Sequence, residues 1–265
     1  MQRVRLGAAA VAVVLCGALV AGCSASPAPP GSTPGTTSAG SLSLVALGDS
    51  VPHGSNCDCR PYPELTGDAF TEPSRVVTVA NDAVGGYTSG DVLRQLDEDS
   101  GVIDRVRGAA AVEVEVGAND VGYSRSCGTS VSCYDTRLPE IEDNLTAIVS
   151  RVHDLTAGHR VLVVLLDYWS VWLGGRYAAE QGDAYVAAAA AVTEDVDRAI
   201  ARVATGGGGV YVDLRAAFKG PSYSYDETHY LSSDGDHPNA AGHQQIAAAV
   251  VGDVESTLHV APAHT

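Results

Sequence analysis

The chain has 265 residues, 45% of them hydrophobic and 18% charged, with 16 basic against 32 acidic side chains and a net charge of −16. One lysine (Lys219) and a pI near 4.7 exclude a nucleic-acid or anionic-membrane binder, because phosphate affinity depends on clustered Lys and Arg. The ordinary apolar fraction excludes a wholly disordered chain and predicts an acidic, soluble protein with one substantial core.

Residues 1–22 open with Arg3 and Arg5 and continue as an uncharged apolar stretch. At about 15 residues it falls short of the ~20 that span a bilayer, so it reads as a secretory signal peptide. Removing it leaves 14 basic against 32 acidic side chains, a net −18. The signal ends in Val20-Ala21-Gly22-Cys23, which resembles the lipobox of bacterial lipoproteins, where cleavage precedes a cysteine that then carries lipid. The alternative is a plain signal cut near Ala25. Residues 24–41 are all Ser, Pro, Gly, Thr and Ala, with no charge and no large apolar residue, so they read as a flexible tether. The predicted organisation is therefore signal peptide 1–22, lipidated Cys23 with linker 23–42, catalytic domain 43–260 and tail 261–265.

From there short Val-rich runs alternate with stretches of helical period. Strands are predicted at 44–47, 76–80, 111–116, 161–166 and 210–214, and helices at 90–97, 138–156, 182–204 and 239–258. Buried strands separated by helices predict one α/β domain, a three-layer α/β/α sandwich around a five-stranded parallel sheet. Ligands of such folds bind at the carboxyl ends of the strands. Four polar groups fall there: Gly48-Asp49-Ser50, then Asn81-Asp82-Ala83-Val84-Gly85-Gly86, then Gly117-Ala118-Asn119-Asp120, and Asp234-Gly235-Asp236-His237 before the last helix. The Gly-x-Ser-x-Gly nucleophile elbow occurs nowhere, which counts against an ordinary α/β-hydrolase.

Gly48-Asp49-Ser50, Gly86, Gly117-x-Asn119-Asp120 and Asp234-x-x-His237, in that order, resemble the four blocks of the SGNH, or GDSL, hydrolase family. The resemblance spans nearly all of the folded domain and implies a flavodoxin-like sheet and an esterase, lipase or carbohydrate deacetylase activity. It also implies Ser50 as nucleophile, His237 as base then acid and Asp234 orienting His237. The oxyanion hole would consist of the Ser50 and Gly86 N–H groups and the Asn119 side chain. The chemistry of the residues agrees, since a serine hydroxyl needs a base and imidazole titrates near neutrality. Spacing in Asp-x-x-His lets the carboxylate accept from one ring nitrogen while the other faces the serine. Neither cofactor nor metal is expected.

Six cysteines are present, two of them (Cys16 and Cys23) in or at the end of the signal. A local Cys127–Cys133 disulfide is the favoured pairing, and Cys57 and Cys59 either bond across one residue or stay free. Cys-x-Cys with Cys-x5-Cys is not a usual structural-zinc spacing. His243 is expected on the surface of the last helix, and His53, His153, His159, His229, His259 and His264 receive no role. Both tryptophans, Trp169 and Trp172, follow the fourth strand and read either as pocket lining or as core. Tyr62-Pro63 and the Cys127–Cys133 insert resemble features of extracellular actinobacterial members of the family. The expectation is a monomeric serine esterase or lipase acting on a lipid or short acyl ester, small-molecule or polymer-borne, on the outer face of a bacterial membrane or secreted. Contact with the membrane would be only through lipid on Cys23, and nucleic acid is no partner. The alternatives are a carbohydrate or cell-wall O-acetyl esterase and a non-catalytic surface binding lipoprotein.

Overall fold

The computed structural model describes residues 40–259; the signal peptide, Cys23, the greater part of the linker and the 261–265 tail lie outside them. Five strands, β1 (Gly40–Gly48), β2 (Arg75–Asn81), β3 (Ala111–Glu115), β4 (Leu162–Leu166) and β5 (Val210–Val212), form one all-parallel sheet in the order β2-β1-β3-β4-β5. The helices are α1 (Ser50–His53), α2 (Tyr62–Ala69), α3 (Ser89–Glu98), α4 (Ser100–Arg107), α5 (Val131–Asp135), α6 (Leu138–Leu155), α7 (Gly175–Ala179), α8 (Asp183–Gly206), α9 (Leu214–Lys219) and α10 (Ala240–His259). One set packs as α3, α4, α6 and α8, the other as α2, α9 and α10, which gives the two helical layers expected of a covered parallel sheet. None of the described helices is long and apolar enough to cross a membrane.

The long helices form where the apolar spacing demands them. In α6 the buried residues Ile141, Leu145, Ile148, Val149 and Val152 recur at three and four positions and face the sheet. Thr88 and Asp91 cap α3 reciprocally, and Asn239 Oδ1 accepts from the Ala241 and Gly242 N–H groups to start α10. All five predicted strands and four predicted helices are present within a few residues. β1 begins at Gly40, pairing Gly40 and Ser41 with Arg75 and Val76, so the sheet takes in the end of the expected tether. The last strand stops at Val212 rather than 214 because Asp213 accepts from the Ala216 N–H and caps α9. The six short helices α1, α2, α4, α5, α7 and α9 lack enough turns to show a period, and none was in the predicted set.

In this strand order the chain reverses direction between β1 and β3, and the crevice at their carboxyl ends is where such folds bind ligands. Ser50 follows β1 and Asn119 follows β3, one on each side of that crevice.

Candidate active site

At the end of β1 the backbone leaves no room for a side chain. Gly48 has φ +144, and a Cβ there would stand 2.0 Å from the Glu115 carbonyl oxygen on β3. Only glycine fits. Asp49 follows, fully buried: its Oδ1 accepts from the Val51 N–H and its Oδ2 from the Tyr168 hydroxyl at 2.6 Å. Burial pushes this carboxyl up to about 6, against the pull of those two donors. Asp49 thereby caps α1 and makes Ser50 its first residue, whose N–H has no partner inside the helix.

The turn after β2 packs directly on Ser50. A Cβ on Gly85 would lie 4.0 Å from the Ser50 Cβ, and the Val84 N–H donates to the Gly48 carbonyl. Gly86 is exposed beside it. After β3, Asn119 Nδ2 donates to the Tyr87 carbonyl at 2.9 Å, which ties the third sequence block to the second. One hydrogen of that amide orients it, and the other stays free for a ligand. Asp120 serves elsewhere, accepting from the Ser89 N–H and hydroxyl, so it anchors α3.

The fourth block forms a tight loop before α10. His237 Nδ1 lies 2.8 Å from Asp234 Oδ2, while Asp234 Oδ1 accepts from the Asp236 and His237 N–H groups. Partial burial would raise the Asp234 carboxyl, yet these donors together with Asn56 hold it below the ordinary value. It is then acceptor-only, so His237 Nδ1 carries the proton and Nε2 is left as the basic nitrogen. Ser50, Asn119 and His237 line one cavity of about 190 Å³.

Asn56 completes this group and is absent from the sequence prediction. Its Nδ2 donates to Asp234 Oδ2 at 2.6 Å and its carbonyl accepts from the Ser232 hydroxyl. The signal was the segment Asn56-Cys57-Asp58-Cys59, where Asn56 and Asp58 take φ of +58° and +50°. Asn and Asp tolerate that left-handed region best, and a Cys57–Cys59 disulfide closes the turn. Cys127 and Cys133 are also bonded to each other.

The surface position expected for His243 is corrected. The residue is fully buried, with its Nδ1 accepting from the Tyr62 N–H at 3.2 Å, and burial lowers it to about 4, which keeps it neutral. It faces α2 because α10 packs against that helix. Cys57, Cys59 and His243 place ligand-type atoms within 4.8 Å of one another. Their chemistry does not suit a metal. The sulfurs are bonded to each other, and with Nδ1 occupied the imidazole proton must sit on Nε2.

Both tryptophans act as core and as wall. Trp169 stacks on Phe218 with centroids 4.3 Å apart, and Trp172 Nε1 donates to the Val121 carbonyl. Each nonetheless borders the cavity, with Tyr123 and Tyr185 beside them.

Residues 46–245 match the GDSL-like lipase/acylhydrolase family. The chain belongs to that family. Solved structures similar to this GDSL hydrolase include phospholipase A1 from Streptomyces albidoflavus NA297, at 22% identity over 81% of this chain and 98% of that one, with a TM-score of 0.58. The lipase Lip_vut3 from a goat rumen metagenome is 18% identical over 80% and 97%, TM-score 0.58. A mutant of Axe2, an acetyl-xylooligosaccharide esterase from Geobacillus Stearmophilus, is 19% identical over 82% and 95%, TM-score 0.59. At these identities the structures speak for the fold, which is the predicted α/β SGNH architecture. No curated protein matches the sequence. Family and fold together make this GDSL hydrolase an ester-hydrolysing enzyme, which sets aside the non-catalytic reading.

Proposed function

We propose that this GDSL hydrolase cleaves carboxylic esters with short acyl groups through an acyl-enzyme on Ser50. The observation that carries the reading is the oriented Asp234–His237 pair opening onto the same cavity as Ser50 and Asn119. Ser50 Oγ attacks the ester carbonyl carbon as its proton passes to His237 Nε2. The oxyanion that forms is met by the Ser50 and Gly86 N–H groups and the free hydrogen of the Asn119 amide. When the carbon–oxygen bond breaks, His237 returns the proton to the departing alkoxide. Water then attacks the acyl carbon, giving its proton to His237, which returns that proton to Ser50 Oγ as the acyl–oxygen bond breaks and the acid leaves. Asp234 holds the ring throughout, and Asn56 holds Asp234.

Cavity size favours a short acyl group. At about 190 Å³, walled by Trp169, Trp172, Tyr123 and Tyr185, the cavity lies below the roughly 300–1,000 Å³ of common ligand pockets. Nitrophenyl esters of two to sixteen carbons test this: kcat/KM is expected to peak at two to four carbons and to fall at least about 100-fold by twelve. A maximum at ten or more carbons would refute the short-acyl assignment. An O-acetyl ester borne on a carbohydrate is the second reading, favoured by the same small cavity; of the similar structures, one is a phospholipase and one an acetyl-xylooligosaccharide esterase.

Export and anchoring belong to the same proposal. With 14 basic against 32 acidic side chains after residue 22, the mature chain is repelled by an anionic bilayer, so attachment would depend on lipid at Cys23. Cys23→Ser is expected to move the protein from the membrane fraction to the medium. An unchanged membrane-bound fraction would reject the lipid anchor.

A further inference from the structure

We infer that the catalytic cavity selects esters whose alcohol carries a cationic, alkylated ammonium group, and that Asp236 makes the selection. The inference rests on the proposed acyl-enzyme route, in which His237 protonates the departing alkoxide and so faces the alcohol part of the ester.

Charge along the cavity wall is of one sign. Asp49 and Asp236 line it together with Ser50, Asn119 and His237, Asp234 stands behind His237, and neither Lys nor Arg is among the lining residues. Both oxygens of Asp49 are engaged, by the Val51 N–H and the Tyr168 hydroxyl, and Asp234 accepts from four donors. Asp236 differs from both. Its side chain is 51% exposed and accepts no hydrogen bond from any described residue. Its one ion-pair contact among them is His237 Nδ1 at 4.0 Å, a nitrogen whose proton is directed at Asp234. Desolvation raises the Asp236 carboxyl above its ordinary value, the state of a carboxylate short of partners. A bound cation would supply that partner.

The rings of the same cavity suit an alkylated ammonium. Tyr123 is 47% exposed and so stands at the mouth, as Asp236 does. It packs edge to face on Trp172 with centroids 5.2 Å apart, and Tyr185 joins the two at 5.2 and 5.3 Å. Tyr185 lies within reach of the carboxylate's field: burial first, and the Asp236 charge as well, raise its hydroxyl. The Tyr185 oxygen accepts from the Leu173 N–H, which fixes that ring in place. Aromatic rings attract a cation through their quadrupole and bury its methyl groups at no polar cost. Rings and Asp236 together offer what a methylated ammonium requires, one negative charge beside an apolar, electron-rich surface. An anionic alcohol would meet carboxylates and no base. A neutral alkyl alcohol would desolvate Asp236 without pairing it. The field of the whole molecule has the same sign, since a chain of net −16 draws cations towards its clefts.

Two esters that differ only in charge test this. Acetylcholine and 3,3-dimethylbutyl acetate share one shape, with nitrogen in the first where the second has carbon, and both are assayed beside nitrophenyl acetate. The kcat/KM for acetylcholine is expected to exceed that for the neutral ester by about tenfold or more. Asp236→Asn keeps the backbone N–H that Asp234 accepts and should bring this ratio down to about two or less, whereas Asp236→Glu should keep most of it. A merely structural role for Asp236 would lower both rates together and leave the ratio as it was. That result, or a wild-type ratio near one, would overturn the inference. Failure of the catalytic reading is a separate outcome, in which Ser50→Ala hydrolyses nitrophenyl acetate as fast as wild type does. In that case, or if neither alkyl ester is turned over, calorimetric titration of Ser50→Ala with choline and with 3,3-dimethylbutan-1-ol decides. Choline binding about tenfold tighter upholds the cation site, and equal binding or none overturns it.

Discussion

Replacing Ser50 by alanine is expected to lower kcat/KM for nitrophenyl acetate by at least about 10⁴-fold while leaving the fold intact. Ser50 is only partly buried and its side chain carries no structural hydrogen bond, so the loss falls on chemistry and not on packing. Graded losses should follow around it. Asn119→Ala removes one oxyanion donor and should cost about 100- to 1000-fold in kcat. Asn56→Ala leaves Asp234 with three of its four donors, and a lost hydrogen bond to a charged group corresponds to about tenfold in kcat with KM little changed. Kinetics of the three variants, each checked by its circular dichroism and melting profile, read out this order. A Ser50→Ala enzyme as active as wild type would refute the role of that residue. An Asn56→Ala loss confined to KM would assign Asn56 to substrate binding instead.

Thermal stability should rise as the solution is made mildly acidic, the reverse of the usual trend across neutral pH. Five carboxyls, Asp49, Glu113, Glu115, Asp167 and Asp197, are buried inside the sheet layers. Burial pushes Asp49 up to about 6 and Asp167 to about 7, and drives Glu113, Glu115 and Asp197 well above their ordinary values. Unfolded, the same groups ionise near 3.8 or 4.5. Between about pH 4 and 7 the folded chain therefore holds more protons than the unfolded one, and stability falls as pH rises through that window. Asp91 and Asp234, held below the ordinary value, act in the opposite sense only at the acid end. Between pH 8 and pH 5.5 Asp49 and Asp167 together contribute about 3 kcal/mol, and His243, lowered to about 4, takes back about half of it, so Tm should be about 2–6 °C higher at pH 5.5 than at pH 8. Glu113→Gln, which removes a charge but keeps the shape, should raise Tm more at pH 8 than at pH 5.5. A Tm that climbs from pH 5.5 to pH 8 would contradict this account.

Those glutamates show where the sequence stops being legible. Val112-Glu113-Val114-Glu115 alternates as a half-exposed strand does, with its acids toward water. β3 lies at the centre of a sheet covered by helices on both faces, so both glutamates end up inside. Burial of His243 has the same origin: α10 mixes small, apolar and polar residues around its circumference, and only its packing against α2 decides which side faces in. The strands and long helices were legible because Val-rich runs and three-four spacing are local signals. The four catalytic blocks were legible because each sits at a strand end or opens a helix. Asn56 was not, since its partner Asp234 is 178 residues away and the local Asn56-Cys57-Asp58-Cys59 segment points only to a tight turn, not to that partner. Neither was the way residues 174–176 are held, since their N–H groups donate to Gly235, Glu227 and Thr228, each more than 50 positions on.

The central claim, an acyl-enzyme on Ser50, is tested most directly by covalent labelling. Incubation with a fluorophosphonate, followed by intact-mass measurement and peptide mapping, should show one adduct per chain, located on Ser50, with loss of esterase activity in step with labelling. His237→Ala should label far more slowly, because the serine then lacks its base. An adduct on another residue, or full inactivation with Ser50 unmodified, would contradict the account.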